Sequence, residues 1–273
     1  NVAKNLRRSF VALRMTEYDE DGNISMIQAI LLAGGKGTRL APLTDNLPKP
    51  LVKIHGKPMM QYVLEHLREA GIVEVAVSVA HLGHMIQEEF GDGSSMGMKL
   101  LYLVEPEPMG TGGWMKLVDW DALEDDFILA NADNLFWIDV RKFLERHKES
   151  NGIATIAGVE LPSTEIAKYE ILRSNEERTR LLAYVDRMNA ESELEGKETG
   201  FISSGWYVMS KGVRSIVDEF SVPVSNELHL WPAISTSDEV VGFYHATEPW
   251  FDSGTHERLK RVSDFIETHQ LST

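Results

Sequence analysis

The sequence predicts an α/β protein: a doubly wound, mostly parallel sheet in three layers, αβα. Three observations carry that prediction. Apolar strands alternate with amphipathic helices from Met26 to about residue 150, the order that builds parallel sheets. The first strand, Ile27 to Ala33, is apolar apart from Gln28, as a strand covered on both faces should be. That strand then enters a turn rich in glycine and basic residues, LLAGGKGTRLAPLTDNLPKPLV, Leu31 to Val52.

The elements follow in order. Pro58 opens a helix at the first helical position, where its missing N–H costs nothing. Met59, Met60, Val63, Leu64, Leu67 and Ala70 line one face of it, and Gly71 ends it. Val75 to Val79 reads as a strand, Leu82 to Phe90 as a helix and Leu100 to Val104 as a strand. Gly110 to Val118 looks helical after a glycine-rich turn. Phe127 to Ala130 is a short strand that runs into Asn131-Ala132-Asp133-Asn134, and Asp139 to Lys148 is a helix. Ile153 to Val159, Tyr169 to Leu172, Leu181 to Val185, Phe201 to Met209 and Val240 to His245 read as strands, and Thr255 to Thr268 is amphipathic. Residues 26–273 read as one domain. Residues 1–25 read either as an extension ahead of a native start at Met26 or as a packed helix.

Composition narrows the function. With 27 Lys and Arg against 42 Asp and Glu, the net charge is −15, which argues against a nucleic-acid partner. No run approaches the roughly 18 apolar residues of a membrane span, so no membrane partner is expected. There is no cysteine, which excludes disulfides, thiolate metal sites and a Cys nucleophile and fits a cytoplasmic location. An acidic protein that binds phosphates must concentrate positive charge locally. Lys36, Arg39, Lys49 and Lys53 do so in the first loop.

A strand feeding a glycine-rich turn presents backbone N–H groups to an anion. Two familiar phosphate loops fail here. A P-loop needs Ser or Thr after its Lys, and Lys36 is followed by Gly37; the dinucleotide fingerprint needs a third Gly where Leu40 stands. What remains is Arg39, able to fork onto phosphate oxygens, and Lys49, held between Pro48 and Pro50. On their own, Asp133 reads equally well as a turn or N-cap residue, and Asp252 as a turn before Gly254. His81 and His84 read as helix-face residues near a loop, Asp119-Trp120-Asp121 as a loop or cap, and Glu191, Glu193, Glu195 and Glu198 as a solvated loop. Alternation along the strand points one ring of Trp206-Tyr207 into the core. No convincing Ser-His-Asp or Cys-His constellation is visible.

The segment GGKGTRLAPLTDNLPKPLVKIHGKPMMQY closely resembles the signature of sugar-1-phosphate nucleotidyltransferases, and EPEPMGTGG, LANADN, FISSGWYV and WFDSGTHERL extend the resemblance from about residue 27 to 262. The resemblance implies a Rossmann-like fold with a nucleotide-binding half, about 26–150, and a sugar-binding half, about 151–273. It implies that an NTP and a sugar 1-phosphate react with Mg²⁺ held by Asp133 and Asp252. Arg39 would stabilise departing pyrophosphate, and Lys49 would bridge the two reacting phosphates. Leu32, Ala33, Gly34, Gly35, Gly37 and Thr38 would hold the nucleotide, with Glu105, Gly110 and Thr111 against the base. Ser204 and Gly205 fall on the sugar side. Asp186 and Arg187 replace the family's Glu-Lys there, and Glu170 stands where Gly is common, which leaves the sugar open. Trp114, beside the base loop, reads either as a substitution at the site or as a core aromatic.

GTP with a mannose- or heptose-type phosphate is the leading pair. UTP with an amino-sugar or hexose phosphate is close behind, and dTTP with glucose 1-phosphate is disfavoured by Glu105 in place of Gln. CTP with phosphocholine and a non-catalytic nucleotide-sugar-binding regulator are the remaining readings. A homo-oligomer is compatible with the sequence.

Overall fold

The structure is a computed structural model that describes residues 26–166, 169–185 and 189–269. The extension at residues 1–25 and the sugar-side pair Asp186 and Arg187 lie outside these. Strand β1 is Ile27–Leu32. A small hairpin, β2 (Lys53–Ile54) and β3 (Lys57–Pro58), leads into helix α1, Met59–Glu69. Next come β4 (Glu74–Val79), α2 (Gly83–Phe90), β5 (Lys99–Val104), β6 (Leu123–Asn131), β7 (Asn134–Phe136) and α3 (Val140–Ser150). The second half runs β8 (Ala154–Pro162), α4 (Ser163–Ile166), β9 (Ile171–Ser174), β10 (Leu181–Val185) and α5 (Ala190–Leu194). It closes with β11 (Thr199–Ser210), α6 (Arg214–Val217), α7 (Trp231–Thr236), β12 (Val241–Ala246), β13 (Trp250–Asp252) and α8 (His256–Thr268).

Nine of these strands form one mixed sheet. Strands β5, β4, β1 and β6 lie side by side and parallel. Beyond β6 the direction reverses: β11 pairs antiparallel with β6 and with β8, and β12 pairs parallel with β8. The expected parallel winding therefore holds for the first half, while the second half is mixed. The chain leaves β1 toward β4 and β5, then returns to the other side of β1 as β6. That reversal opens a crevice at the carboxyl ends of β1 and β6, where α/β sheets bind ligands.

Both faces of the sheet are covered. Trp206 packs in the cluster that includes Met60, Leu64 and Phe143, and Tyr207 in the cluster that includes Trp114, Phe127 and Trp231. Successive residues of β11 point to opposite faces, so both rings are buried rather than one. Trp114 is fully buried between Trp120 and Phe127, at centroid distances of 5.8 and 5.9 Å, so it is a core aromatic.

Several local expectations are corrected. Pro58 stands one residue before α1, as its cap. Gly110–Val118 is not a helix: only Gly113–Lys116 turns, as 3-10, because the Gly112 N–H is drawn out to the Val224 carbonyl at 2.8 Å. The acidic stretch includes α5 rather than being all loop, and Glu193 accepts from Lys197 Nζ at 2.8 Å. The cap reading of Asp119 agrees with the structure, since its carboxylate accepts from the Asp121 N–H at 3.1 Å.

Candidate active site

The loop after β1 is shaped by Gly37, whose φ of +63° belongs to the left-handed region. A Cβ there would sit 2.9 Å from Lys49 Cβ. The main chain thus closes tightly against the Lys49 turn, and Thr44 Oγ1 donates to the Gly37 carbonyl at 2.8 Å. This packing aims Arg39 and Lys49 toward the crevice. Lys49 is only 7% exposed. A buried ammonium needs a counter-charge, and it has one: Lys49 Nζ lies 2.5 Å from Asp133 Oδ2.

Asp133 sits in the turn between β6 and β7. Strand β13 pairs antiparallel with β7, with Asp252 opposite Asn134. Two acidic residues 119 positions apart in the chain are brought together by that ribbon, which the Ser253 hydroxyl fastens by donating to the Asp133 carbonyl at 2.5 Å. Asp252 is held by three donors. Gly254 N–H donates to Oδ1 at 2.7 Å, Tyr169 Oη donates to Oδ2 at 2.9 Å, and Arg258 pairs with Oδ2 as well. A Cβ on Gly254 would stand 2.9 Å from an Arg39 guanidinium nitrogen, so Arg39 reaches the same corner. Burial, and then the Asp252 carboxylate, push the Tyr169 hydroxyl well above its ordinary pKa, so Tyr169 stays a hydrogen-bond donor.

These groups open onto a cleft of about 950 Å³ lined by Arg39, Lys49, Thr111, Asp133, Gly205 and Asp252 of the expected residues. Its walls add residues that sequence reasoning did not assign to the site, among them Asn131, Asn134, Ser203, Tyr184, Glu227 and Trp250. Leu32, Ala33, Gly34, Gly35, Gly37, Thr38, Glu105 and Gly110 do not line this cleft. Ser204 is a correction. It is fully buried, and its carbonyl accepts from Asn134 Nδ2 and Trp250 Nε1, both at 2.9 Å, so it braces the cleft wall from behind.

Glu105 stands at the end of β5 beside Gly34, whose added Cβ would lie 3.6 Å from Glu105 Oε1. Burial raises the Glu105 pKa, opposed by the Met109 N–H, which donates at 2.9 Å, and by Ser78. Thr111 ties the loop after β5 to the segment before α7: it donates to Glu227 Oε2 and accepts from the Asn226 N–H, each at 2.8 Å.

A Ser-His-Asp cluster that the sequence did not reveal lies elsewhere, at Asp126, His147 and Ser210. Both Asp126 (3.2 Å) and Ser210 (3.1 Å) address His147 Nε2, while Nδ1 meets Thr155 at 2.9 Å. A catalytic triad needs acid and nucleophile on opposite ring nitrogens, so this is a structural network.

The cleft suits phosphate chemistry: two cationic side chains beside two carboxylates, at a sheet's switch point. Residues 28–269 match the nucleotidyl transferase family. The chain belongs to that family. It is 30% identical over 239 residues to a mannose-1-phosphate guanylyltransferase of Mycobacterium tuberculosis, covering 87% of this chain and 64% of the relative. It is 32% identical over 198 residues to a D-glycero-alpha-D-manno-heptose 1-phosphate guanylyltransferase of Aneurinibacillus thermoaerophilus, covering 71% of this chain and 81% of the relative. The chain thus spans just under two thirds of the length of the first of these. Among solved structures it is similar to HddC from Yersinia pseudotuberculosis complexed with GMP-PN, with a TM-score of 0.71 and 26% identity over 88% of this chain and 100% of that one. Nucleotidyl transferases of this kind generally use a divalent metal. Among the described residues no helix is long and apolar enough to cross a membrane.

The residues present fit a divalent cation. Among the described residues no three His, Cys, Asp or Glu gather as a closed cage. An open pair of hard carboxylate donors, Asp133 and Asp252, matches a cation that completes its shell with phosphate oxygens and water.

Proposed function

We propose that this chain transfers a nucleotidyl group from an NTP to a sugar 1-phosphate, releasing pyrophosphate, with GTP and a mannose- or heptose-type phosphate as its substrates and Mg²⁺ as its cation. The observation that carries this reading is the gathering of Arg39, Lys49, Asp133 and Asp252 around one cleft. In this proposal residues 26–150 serve mainly the nucleotide and the later residues mainly the sugar, within one domain.

An oxygen of the sugar phosphate attacks the α-phosphorus in line, the bond from Pα to the bridging oxygen breaks, and its electron pair leaves with pyrophosphate. The attacking phosphate has a second pKa of about 6 and is mostly dianionic at neutral pH, so no general base is required. What the reaction needs is relief of repulsion between two anions. Lys49 supplies a fixed ammonium between them, and Arg39 a fork for the charge that builds on the leaving group. Asp133 and Asp252 would hold Mg²⁺, which supplies charge neutralisation on the phosphate oxygens.

Glu105 supports the choice of base. Guanine presents two adjacent donors, N1–H and the 2-amino group, which match the two acceptor oxygens of a carboxylate. Uracil presents one N3–H flanked by carbonyls, which suits a carboxamide. Glu105→Gln is therefore expected to lower kcat/KM for GTP by about 10- to 100-fold and to narrow its lead over UTP, as read from steady-state pyrophosphate release. An unchanged GTP to UTP ratio would remove Glu105 from base selection.

The proposal as a whole is tested by a pyrophosphate-release matrix of common NTPs against mannose, heptose, glucose and amino-sugar 1-phosphates and phosphocholine, with Mg²⁺. The highest kcat/KM is expected for GTP with a mannose- or heptose-type phosphate. Preference for UTP would favour the uridylyl reading. Thermal stabilisation by nucleotide with no release from any pair would favour a regulator.

A further inference from the structure

We propose that Arg258 is a counter-ion built into the cation site: it competes with the divalent cation for Asp252, and so sets how tightly the cleft takes that cation. The inference rests on the reading of Asp133 and Asp252 as the cation-binding pair.

Four observations lead there. First, the two carboxylates are engaged differently. Asp133 meets the ammonium of Lys49 through Oδ2, whereas Asp252 uses Oδ1 for Gly254 N–H and Oδ2 for both Tyr169 and Arg258. A carboxylate has about four lone-pair positions, and three donors on Asp252 crowd the share a cation could take. Second, the Arg258–Asp252 pair is shielded from solvent, with side-chain exposures of 14% and 12%. Its attraction is therefore screened weakly by water and salt.

Third, Arg258 lies in the first turn of α8, where Thr255 Oγ1 accepts from its backbone N–H at 3.4 Å. The positive end of a helix is an unfavourable place for a cation, so the guanidinium depends on Asp252 for compensation. The other basic residues of the same helix have partners elsewhere: Lys260 pairs with Asp264 at 2.7 Å, and Arg261 pairs with Glu257 at 2.9 Å and faces Glu165 at 3.8 Å.

Fourth, Arg258 has a second contact in the same position. Its guanidinium carbon lies 5.2 Å from the centroid of the Tyr169 ring, within cation–π range. The long side chain can give up the Asp252 oxygen and stay over that ring while the helix backbone remains still. Tyr169 is then a hinge point of the competition, donating to Asp252 through its hydroxyl and supporting Arg258 through its face. Arg258 is a positioning residue in this scheme, acting on the cation through Asp252.

The test is a titration of the full chain with Mn²⁺ alone, as a paramagnetic probe, with free Mn²⁺ read by electron paramagnetic resonance. Arg258→Met should bind Mn²⁺ about ten-fold more tightly than wild type, and Arg258→Lys should fall between the two. Asp252→Asn should lose most of the binding. A merely structural Arg258 would orient Asp252, and its loss would weaken binding, the opposite sign. Equal or weaker binding in Arg258→Met, with binding still dependent on Asp252, overturns the competition and leaves the cation site standing. Binding insensitive to Asp252→Asn overturns both. Should Arg258→Met fail to fold, Tyr169→Phe decides: removal of one donor from the same oxygen should tighten Mn²⁺ binding a few-fold, and unchanged or weaker binding overturns the proposal. The rise in Tm caused by Mn²⁺, measured within each variant, should rank the variants in the same order.

Discussion

Asp133→Asn should cut pyrophosphate release by about a thousand-fold while the protein stays folded. The substitution keeps the size of the side chain and an acceptor oxygen for Lys49, but the buried ammonium loses its counter-charge. What disappears is the negative charge. Lys49 then faces the substrates without its partner, and one of two carboxylates for the cation becomes a poor ligand. The cost to stability should be about 3 kcal/mol, the lower end for a buried ion pair that loses one partner, because Asp133 itself is partly exposed and the amide oxygen still accepts from Lys49. Circular dichroism and thermal melting check the fold; pyrophosphate release with saturating Mg²⁺ checks turnover. Near wild-type turnover in a folded variant would remove Asp133 from the reaction.

Gly205→Ala should destabilise the protein by about 3 kcal/mol and abolish activity together. Gly205 lies at an irregularity of β11, where pairing with β8 is interrupted between Ser203 and Tyr207. Its φ of +78° is in the left-handed region, where an alanine costs roughly 1–2 kcal/mol. The added methyl would also stand 2.4 Å from Asn131 Nδ2 and 2.6 Å from Asn134 Nδ2, and relieving such overpacking costs about 1–3 kcal/mol. Both asparagines flank Asp133, so the strain is delivered to the carboxylate turn itself. Urea denaturation reads the first effect and pyrophosphate release the second. A variant as stable and active as wild type would show that the turn yields freely.

Much of this was legible in the sequence, for physical reasons. Buried strands must be apolar, so β1 and β4 were visible as runs, and α1 and α3 as amphipathic patterns. The cleft residues Arg39, Lys49, Asp133 and Asp252 were visible because each lies in a motif that resembles the family's. The rest was hidden because it depends on tertiary contacts. The reversal of direction at β11 has no local signature, since parallel and antiparallel strands use the same residues. Within Gly110–Val118 only Trp114–Leu117 has helix-forming residues, and Val224, more than a hundred residues away, claims the Gly112 N–H ahead of them. Ser204 sits in a site-like motif, yet the strand turns it inward. Arg258 was within the quoted WFDSGTHERL segment, but only the fold brings it onto Asp252 and Tyr169.

The link through Thr111 bears on how such a protein can change over generations. One hydroxyl receives from Asn226 and gives to Glu227, and Asn226 Nδ2 and the Val224 backbone add further bonds to the same loop, so two cleft-side segments far apart in the chain are fastened together. A change in either segment is therefore felt by the other, and under the proposed function new pairings of base and sugar would be acquired as matched sets rather than one partner at a time.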